Sequence, residues 1–457
     1  MTGPRHTDRS APAASDRRTR RPAREREGIA LILVLTAVAI LSVMLAEMHE
    51  STSTALAVAV QERDALQAEY AAQSAVDLTR LLVAQEPLVR QILTPMYQAM
   101  VGRKPPQLPV WSFANQVLRP FCDYDGMRDS YGGGALDFGS AQGLGDMPAK
   151  CSIVSFAENS KINVNRPLGL SVDDARLSIA RQLYTLMGGY QSPSPYDPLF
   201  AHEDPDGLMT TRLDIVSAVD DWWDEDTEQT HFDPTEDAVT SSGPEQDVYA
   251  RFADPYHNKN APFDSVEELR LVRGVSDDFW ATFVQPTPSD PQSRTLTVYG
   301  SGAINPNEAP PAVLLARVCS FIDEQPLCVD PLEQAKFIQI LDTARALAPI
   351  PYFTLPGDFL NFLEGKGGKN DLYPTLTNML GKDFLFTPLT IPSDKRTDLA
   401  RAFVTGARIL SIIATGTSGR ARVRLNTVVN FDERWTPPPP NAGSPPKLGV
   451  FDYYRVE

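Results

Sequence analysis

The residues best suited to chemistry form an acidic run near the middle of the chain. Six carboxylates lie within nine residues and two more follow after a loop; besides Glu225, they are Asp220, Asp221, Asp224, Asp226, Glu228, Glu245 and Asp247. Carboxylates crowded this closely repel one another unless a cation or solvent relieves them. Calcium takes six to eight oxygen ligands, and outside the cell a site with a Kd of about 10⁻⁴–10⁻³ M would be filled. The run is a candidate calcium site, with a solvated acidic loop as the alternative.

Other chemical motifs are missing from the sequence. It has five His, no His-Glu-x-x-His, no Gly-x-Ser-x-Gly and no phosphate-binding glycine motif, so we predict that the protein is not an enzyme. The segment His202–Gly207 fails as a calcium loop, because its first and twelfth ligands would be His202 and Leu213. Val266–Val275 resembles the first half of a helix-hairpin-helix, a DNA-phosphate module; the alternative is a helix that ends at Gly274. The net charge of −16 favours the alternative and argues against nucleic acid as a partner.

The N-terminal region determines the class of protein. Residues 1–27 contain eight Arg and four acidic residues, and residues 29–46 are uncharged and mostly apolar, long enough for a short membrane span. The basic flank keeps the N-terminus in the cytoplasm and sends the C-terminus across the membrane.

Three interpretations compete for the apolar stretch. A cleaved secretory signal is disfavoured, since the best cut, after Ala46, puts the bulky Met44 at the −3 position. A plain signal anchor is possible. In a prepilin-type leader, the cut falls at Gly28–Ile29 and the span is retained.

The residues after the span favour the prepilin interpretation. Ile29–Glu86 contains no Gly and no Pro, which predicts one long helix, ended by Pro87 and the prolines that follow it. A stripe of small residues, Ala68, Ala71 and Ala75, lets this helix pack on a sheet or on neighbouring helices.

The cysteines indicate an oxidising compartment. An even number in a chain expected to leave the cytoplasm indicates two disulfides; Cys319 with Cys328 would close a short loop and Cys122 with Cys151 a longer one, but the sequence does not determine the pairing. Four buried free thiols are the alternative.

Hydrophobic patterning predicts a helical region between two β-rich segments. Cys151–Arg166 alternates as a β-hairpin would, 403–415 and 420–431 predict a second hairpin, and Tyr453–Val456 predicts an edge strand. Helical patterning covers residues 171–187, 210–223, 265–283, 308–322 and 331–347. We therefore expect a helical insertion within an α/β domain.

Several segments, in one order, resemble the protein K family, the large minor pseudopilins of the type II secretion system. They are the basic leader with its long helix, an Ile-Asn-x-Asn segment at Ile162–Asn165, the acidic run 214–228, the segments 243–249 and 255–275, and a second Ile-Asn-x-Asn at Ile304–Asn307. Ordinary pilins have Glu at the fifth position of the mature chain, and this sequence has Leu33. The resemblance implies that a chain without that glutamate lies at the tip of the assembly, where no N-terminal amine of a neighbouring subunit has to be neutralised.

The resemblance implies an α+β fold, a pilin-like domain with a long N-terminal helix and an antiparallel sheet, interrupted by an inserted helical (SAM-like) region. The expected domains are a leader at 1–28, a transmembrane helix at 29–46, the pilin-like helix and first strands at 47–165, the insertion at 166–370 and the remaining strands, with a Pro-rich loop, at 371–457. It also implies calcium bound by Asp221, Asp224, Asp226, Glu245 and Asp247.

The resemblance further implies a role and partners. The protein would be a single-pass inner-membrane protein that caps the tip of a periplasmic pseudopilus and supports protein export. Its partners would be other minor pseudopilins, the inner-membrane secretion platform, the prepilin peptidase and secreted substrates. A minor pilin of a type IV pilus and a signal-anchored periplasmic binding protein are the alternatives.

Overall fold

The fold is taken from a computed structural model of the chain. It describes residues 24–102, 104–123, 149–167, 170–201, 203, 207, 209–245, 249–251, 254–347, 351–368, 371–432 and 448–457. The chain divides into two compact units, Met1–Arg63 and Asp64–Glu457, and each is described by itself.

Helices dominate the described residues. Those of eight residues or more are α1 (Arg24–Ala84), α2 (Glu86–Val101), α3 (Val172–Leu186), α4 (Arg212–Trp223), α5 (Pro311–Cys319), α6 (Pro331–Leu347), α7 (Pro356–Leu363), α8 (Leu372–Leu380) and α9 (Ser393–Arg401). Shorter helical turns lie at Val110–Phe113, Ala114–Val117, Arg119–Cys122, Glu158–Ser160, Asp197–Phe200, Tyr249–Arg251, Val266–Leu271, Asp277–Phe279, Trp280–Val284, Pro291–Ser293, Pro326–Val329 and Lys382–Phe384.

Eight strands form three sheets in the described part of the chain. The strands are β1 (Ala149–Ala157), β2 (Ile162–Asn163), β3 (Glu228–Asp233), β4 (Ala238–Pro244), β5 (Leu296–Thr297), β6 (Ile409–Ser418), β7 (Ala421–Asn430) and β8 (Val450–Val456). The main sheet has the order β1-β6-β7-β8 and is antiparallel throughout. The long helix, this sheet and the helical segment between β1 and β6 confirm the α+β pilin-like prediction.

The first unit contains the apolar part of α1. From Ile29 the apolar side chains are exposed, including Leu33 at 63%. Among the described residues this is the one helix long and apolar enough to cross a membrane, by length and composition, a test that a signal sequence also passes.

In the second unit, α1 from Asp64 onward packs against the main sheet. Ala68, Ala71 and Ala75 are fully buried, as the small-residue stripe predicts for packing on a sheet. The helix lies so close to β6 that a Cβ placed on Gly416 would be 1.8 Å from the carbonyl oxygen of Ala68. Small side chains on the helix and glycine on the strand together permit this approach.

The long helix ends just before Pro87, as predicted, but a second helix that was not predicted begins at once. α1 ends at Ala84 and α2 begins at Glu86, with Pro87 in its first turn and Pro95 inside it. A proline in the first turn is tolerated because the backbone N–H that it lacks has no partner within the helix there.

The predicted C-terminal hairpin and edge strand are confirmed, but the first predicted hairpin is wrong. β6 and β7 pair across Gly419 and Arg420, and β8 lies at the edge of the sheet. β1 does not pair with the residues that follow it; it pairs with β6, so that Ala157 lies opposite Leu410. β2 instead pairs in parallel with β5. Alternation predicts strands in both cases but does not specify their partners.

Both Ile-Asn-x-Asn segments form hydrogen bonds with the backbone of a residue that is distant in the sequence. The Asn165 side chain donates to the carbonyl of Phe263 at 3.0 Å and accepts the amide N–H of the same residue at 2.8 Å. Asn307 makes the equivalent pair of bonds with Phe353, each 2.9 Å long. Each motif thus binds the two hydrogen-bonding groups of one remote residue.

The insertion has a hydrophobic core of its own, extending from Ile162 to Phe403, while the pilin-like part has a second core between α1 and the main sheet. The patterned segment 265–283 is not one helix. It consists of a 3₁₀ stretch at Val266–Leu271 followed by the turns Asp277–Phe279 and Trp280–Val284.

A buried ion pair lies where the insertion leaves β1. Lys161 Nζ donates to Glu158 Oε1 at 3.0 Å, and both side chains are at most 5% exposed. Burial opposes the charge on Glu158, but Lys161 and the Ser411 hydroxyl hold the pKa of this carboxyl below its ordinary value. The neighbouring Asn159 accepts the amides of Arg408 and Ile409, which joins the two ends of the insertion.

Candidate functional site

Helix α4 positions the acidic run. It starts with a capping box between Thr211 and Asp214, and it ends at Trp223, after which Asp224 adopts extended backbone. The two tryptophans of the last turn, Trp222 and Trp223, are buried and fix this end of the helix in the core. The residues after the helix are therefore held at a defined position.

The first two aspartates of the run support the local fold. Asp220 is fully buried, and its Oδ1 accepts the indole N–H of Trp223 at 3.1 Å. Asp221 Oδ1 accepts the backbone N–H of Thr230 at 2.8 Å, which attaches β3 to the end of α4.

Three of the other carboxylates converge. One oxygen each from Asp224, Asp226 and Glu245 lies within 4.8 Å of the others, a separation that one metal ion spans. Asp224 is 1% exposed, whereas the side chain of Asp226 is 45% exposed. The cluster thus extends from the protein interior to its surface.

Two asparagines adjoin the cluster. Asn258 donates to Glu245 Oε2 at 2.6 Å, and Asn260 donates to the backbone carbonyl of Asp226 at 2.8 Å. Their side-chain amides therefore help to hold Glu245 and the acidic loop in place.

The donor set fits a hard cation. Four buried oxygens here have no hydrogen-bond partner among the described residues, namely Asp224 Oδ1, Glu245 Oε1, Asn258 Oδ1 and Asn260 Oδ1. Buried acceptors ordinarily have a partner. Carboxylate and amide oxygens are the ligands that calcium prefers, and the cluster offers no sulfur or imidazole.

The electrostatics of the loop also favour a bound cation. Burial raises the pKa of Asp221 to about 7 and that of Asp224 to about 6. Burial likewise opposes ionisation of Asp226, but the Glu228 amide and the Arg176 guanidinium hold its pKa below the ordinary value. Carboxylates whose charge is disfavoured by burial gain most from a positive ion nearby.

The structure brings together three of the five predicted metal ligands, Asp224, Asp226 and Glu245. Asp221 is outside the cluster and bonds to Thr230. Asp247 lies outside the described residues.

The remaining predicted residues are distributed over the rest of the chain. Gly28, Ile29 and Leu33 lie within α1. The cysteines form the disulfides Cys122–Cys151 and Cys319–Cys328, with Cα atoms 4.6 and 5.5 Å apart.

Sequence reasoning missed Arg176, Asn258 and Asn260. The two asparagines carry a usable signal, because two amide side chains in the segment after Glu245 add oxygen donors to an acidic run. Arg176 carries none, since it precedes the run by about 50 residues on a different helix.

Comparison with known proteins finds a similar family and a similar solved structure. Residues 207–284, which include α4 and the whole cluster, match the sequence model of the family described as type II secretion system (T2SS), protein K. No curated protein matches the chain. Among solved structures, one similar chain belongs to the GspK-GspI-GspJ complex of the enterotoxigenic Escherichia coli type 2 secretion system. It has 12% identity and a TM-score of 0.37, over 68% of this chain and 80% of that one.

The family match falls on the segment that the sequence resemblance had selected, the helix that runs into the acidic loop. Residues 207–284 of the chain are thus similar to the type II secretion system protein K family.

Proposed function

We propose that the protein caps the tip of the periplasmic pseudopilus and supports protein export, as a structural and not an enzymatic component. The observation that carries the proposal is Leu33 at the fifth position of the predicted mature chain, in a chain similar to the protein K family. Ordinary subunits need a glutamate there for the amine of a neighbour, and a terminal subunit does not. The insertion between β1 and β6 adds bulk that disfavours addition of a further subunit beyond it.

The proposed location is the inner membrane, crossed once by α1, with the rest of the chain in the periplasm. The prepilin peptidase cuts between Gly28 and Ile29, and N-methylation of Ile29 follows. Other minor pseudopilins pack against the helix, and the inner-membrane secretion platform receives it. Secreted substrates are a further proposed contact.

The N-terminus of the mature protein tests the processing step. Protein purified from its own membranes should begin at Ile29 by mass spectrometry. A chain that retains Arg26 and Glu27 would show a plain anchor and favour a signal-anchored periplasmic binding protein. A start near Glu47 would show a secreted protein.

Export assays in cells test the role. Loss of the protein should leave the normal cargo in the periplasm, and the Leu33→Glu variant should export poorly, because the added carboxylate permits continued assembly. Leu33→Gln, polar but uncharged, is the matched control and should export better than Leu33→Glu. If Leu33→Glu changes neither the amount of cargo exported nor the position of the protein at the tip, the tip assignment is contradicted. Loss of motility or surface pili with normal export would instead identify a minor pilin of a type IV pilus.

We also propose that the cluster binds calcium, held by Asp224, Asp226 and Glu245 with Asn258 and Asn260 as additional oxygen donors. A bound calcium ion would supply positive charge and cross-link α4 to the segment after β4. At fiftyfold excess over Kd, calcium should stabilise the fold by about 2 kcal/mol.

Thermal unfolding of the full-length protein in detergent, with calcium chloride against EDTA, tests the calcium site. Wild type should gain melting temperature, and Glu245→Gln should lose that gain. Glu225→Gln removes an exposed charge from the same loop but not from the cluster, so its gain should match wild type. Equal gains in both variants would contradict the site.

A further inference from the structure

A single guanidinium occupies one side of the acidic cluster. Arg176 extends from the first half of α3, and its side chain is only 7% exposed. Its Nη2 donates to Asp224 Oδ2 at 2.5 Å and to Asp226 Oδ2 at 2.6 Å, while its Nη1 donates to the hydroxyl of Ser241 at 3.3 Å. One side chain therefore links α3, the loop after α4, and strand β4.

The oxygens that bond to Arg176 are different atoms from the oxygens without a hydrogen-bond partner. Arg176 bonds to the Oδ2 atoms of the two aspartates, whereas the acceptors without partners are Asp224 Oδ1, Glu245 Oε1 and the two asparagine oxygens. Asp224 has one oxygen on each side, so a cation and the guanidinium can both bind it.

Charge balance explains why both positive groups belong there. The three clustered carboxylates carry up to three negative charges, and Arg176 supplies one positive charge. One divalent cation then brings the group to neutrality, which lowers the cost of burying the Asp224 carboxylate. Without Arg176, the same carboxylates would depend on metal alone.

We infer that Arg176 is a built-in counter-cation, which holds the acidic loop in the absence of metal and reduces the calcium dependence of the fold. The inference rests on the calcium site proposed above and adds a residue to it. It predicts that the loop is folded in chelator, and that calcium matters most when the guanidinium is removed.

The test compares Arg176→Met with wild type, each as the full-length protein in detergent, in EDTA and in calcium chloride. The variant should melt at a lower temperature than wild type in EDTA and should show a larger calcium-induced rise. Its Kd for calcium should be at least about tenfold lower, because a unit charge a few ångströms away has an effect of that size or larger.

Arg181→Met is the matched control. Arg181 lies on the same helix and pairs with Asp237, away from the cluster, so its loss removes an ion pair without touching Asp224 or Asp226. The calcium-induced rise of this variant should equal that of wild type.

Equal calcium-induced rises in Arg176→Met and wild type would overturn the inference, and so would the absence of a rise in both. A rise confined to Arg176→Met would support it. If Arg176→Met does not fold in EDTA, recovery of folded protein in calcium supports the inference. Failure to fold in both conditions moves the test to Arg176→Gln against Arg181→Gln, where an equal calcium response would overturn it. Export in cells is measured separately, and its outcome tests the secretory role without affecting the inference about Arg176.

Discussion

The contact between α1 and β6 makes Gly416→Ala a severe substitution. Alanine should stabilise a strand interior by about 0.5–1 kcal/mol relative to glycine. Here its Cβ would lie 1.8 Å from the Ala68 carbonyl oxygen and 3.0 Å from the Ala72 amide nitrogen. Both neighbours are backbone atoms, so no side-chain rotation relieves the overlap. The helix must move off the strand by about 1 Å or more, which should cost about 3 kcal/mol, the upper end for overpacked cores.

Chemical unfolding of the full-length protein, followed by circular dichroism, measures this cost as a lower denaturant midpoint. Gly357→Ala is the control, because a Cβ at Gly357 meets nothing within 4 Å. It lies in the first turn of α7, where alanine should be neutral or gain up to about 1 kcal/mol. If Gly416→Ala is as stable as wild type, α1 does not lie against β6 as described.

Three further tests probe buried groups. Burial raises the pKa of Glu308 to about 8; the folded chain then holds this proton more tightly than the unfolded chain, and stability falls as the pH rises from about 4.5 through 8. Glu308→Gln should flatten that fall, measured as urea midpoints across this range, and an unchanged slope would contradict the burial argument. Replacing Cys319 and Cys328 by alanine opens a loop with a sequence separation of 9 and should cost about 2–3 kcal/mol, checked by unfolding under non-reducing conditions. Lys161→Met leaves Glu158 buried without its counter-charge and should cost about 3–5 kcal/mol. Adding Glu158→Gln should recover part of that loss, and strict additivity in a double-mutant cycle would contradict the pairing.

The sequence is sufficient for features that depend on local composition. The small-residue stripe at Ala68, Ala71 and Ala75 predicts close packing on a flat surface, and the Gly416–Gly419 segment predicts the hairpin between β6 and β7. Both signals act over a few residues, where backbone geometry and side-chain size decide the outcome.

Such local patterns do not predict which distant segments pair with each other. The alternation around Asn159 fits a local hairpin equally well, but β1 finds its partner at Ile409–Ser418. In the candidate site, charge density located Asp224, Asp226 and Glu245, whereas Arg176 comes to the cluster only through the packing of α3 beside α4. The indole of Trp223 and the amide of Thr230 likewise explain why Asp220 and Asp221, acidic in sequence, support the fold in the structure.

The placement of the insertion between two adjacent strands has a kinetic consequence. Ala157 and Leu410 are neighbours in the sheet although about 250 residues separate them. Closing an unstructured loop of that length costs about 5 kcal/mol in chain entropy, and contacts so far apart in sequence slow folding. An insertion that folds first, on its own core, brings its two ends together through Asn159 and removes most of that cost. The strand pairing that completes the pilin-like sheet is then a late event, and it follows the folding of the helical insertion.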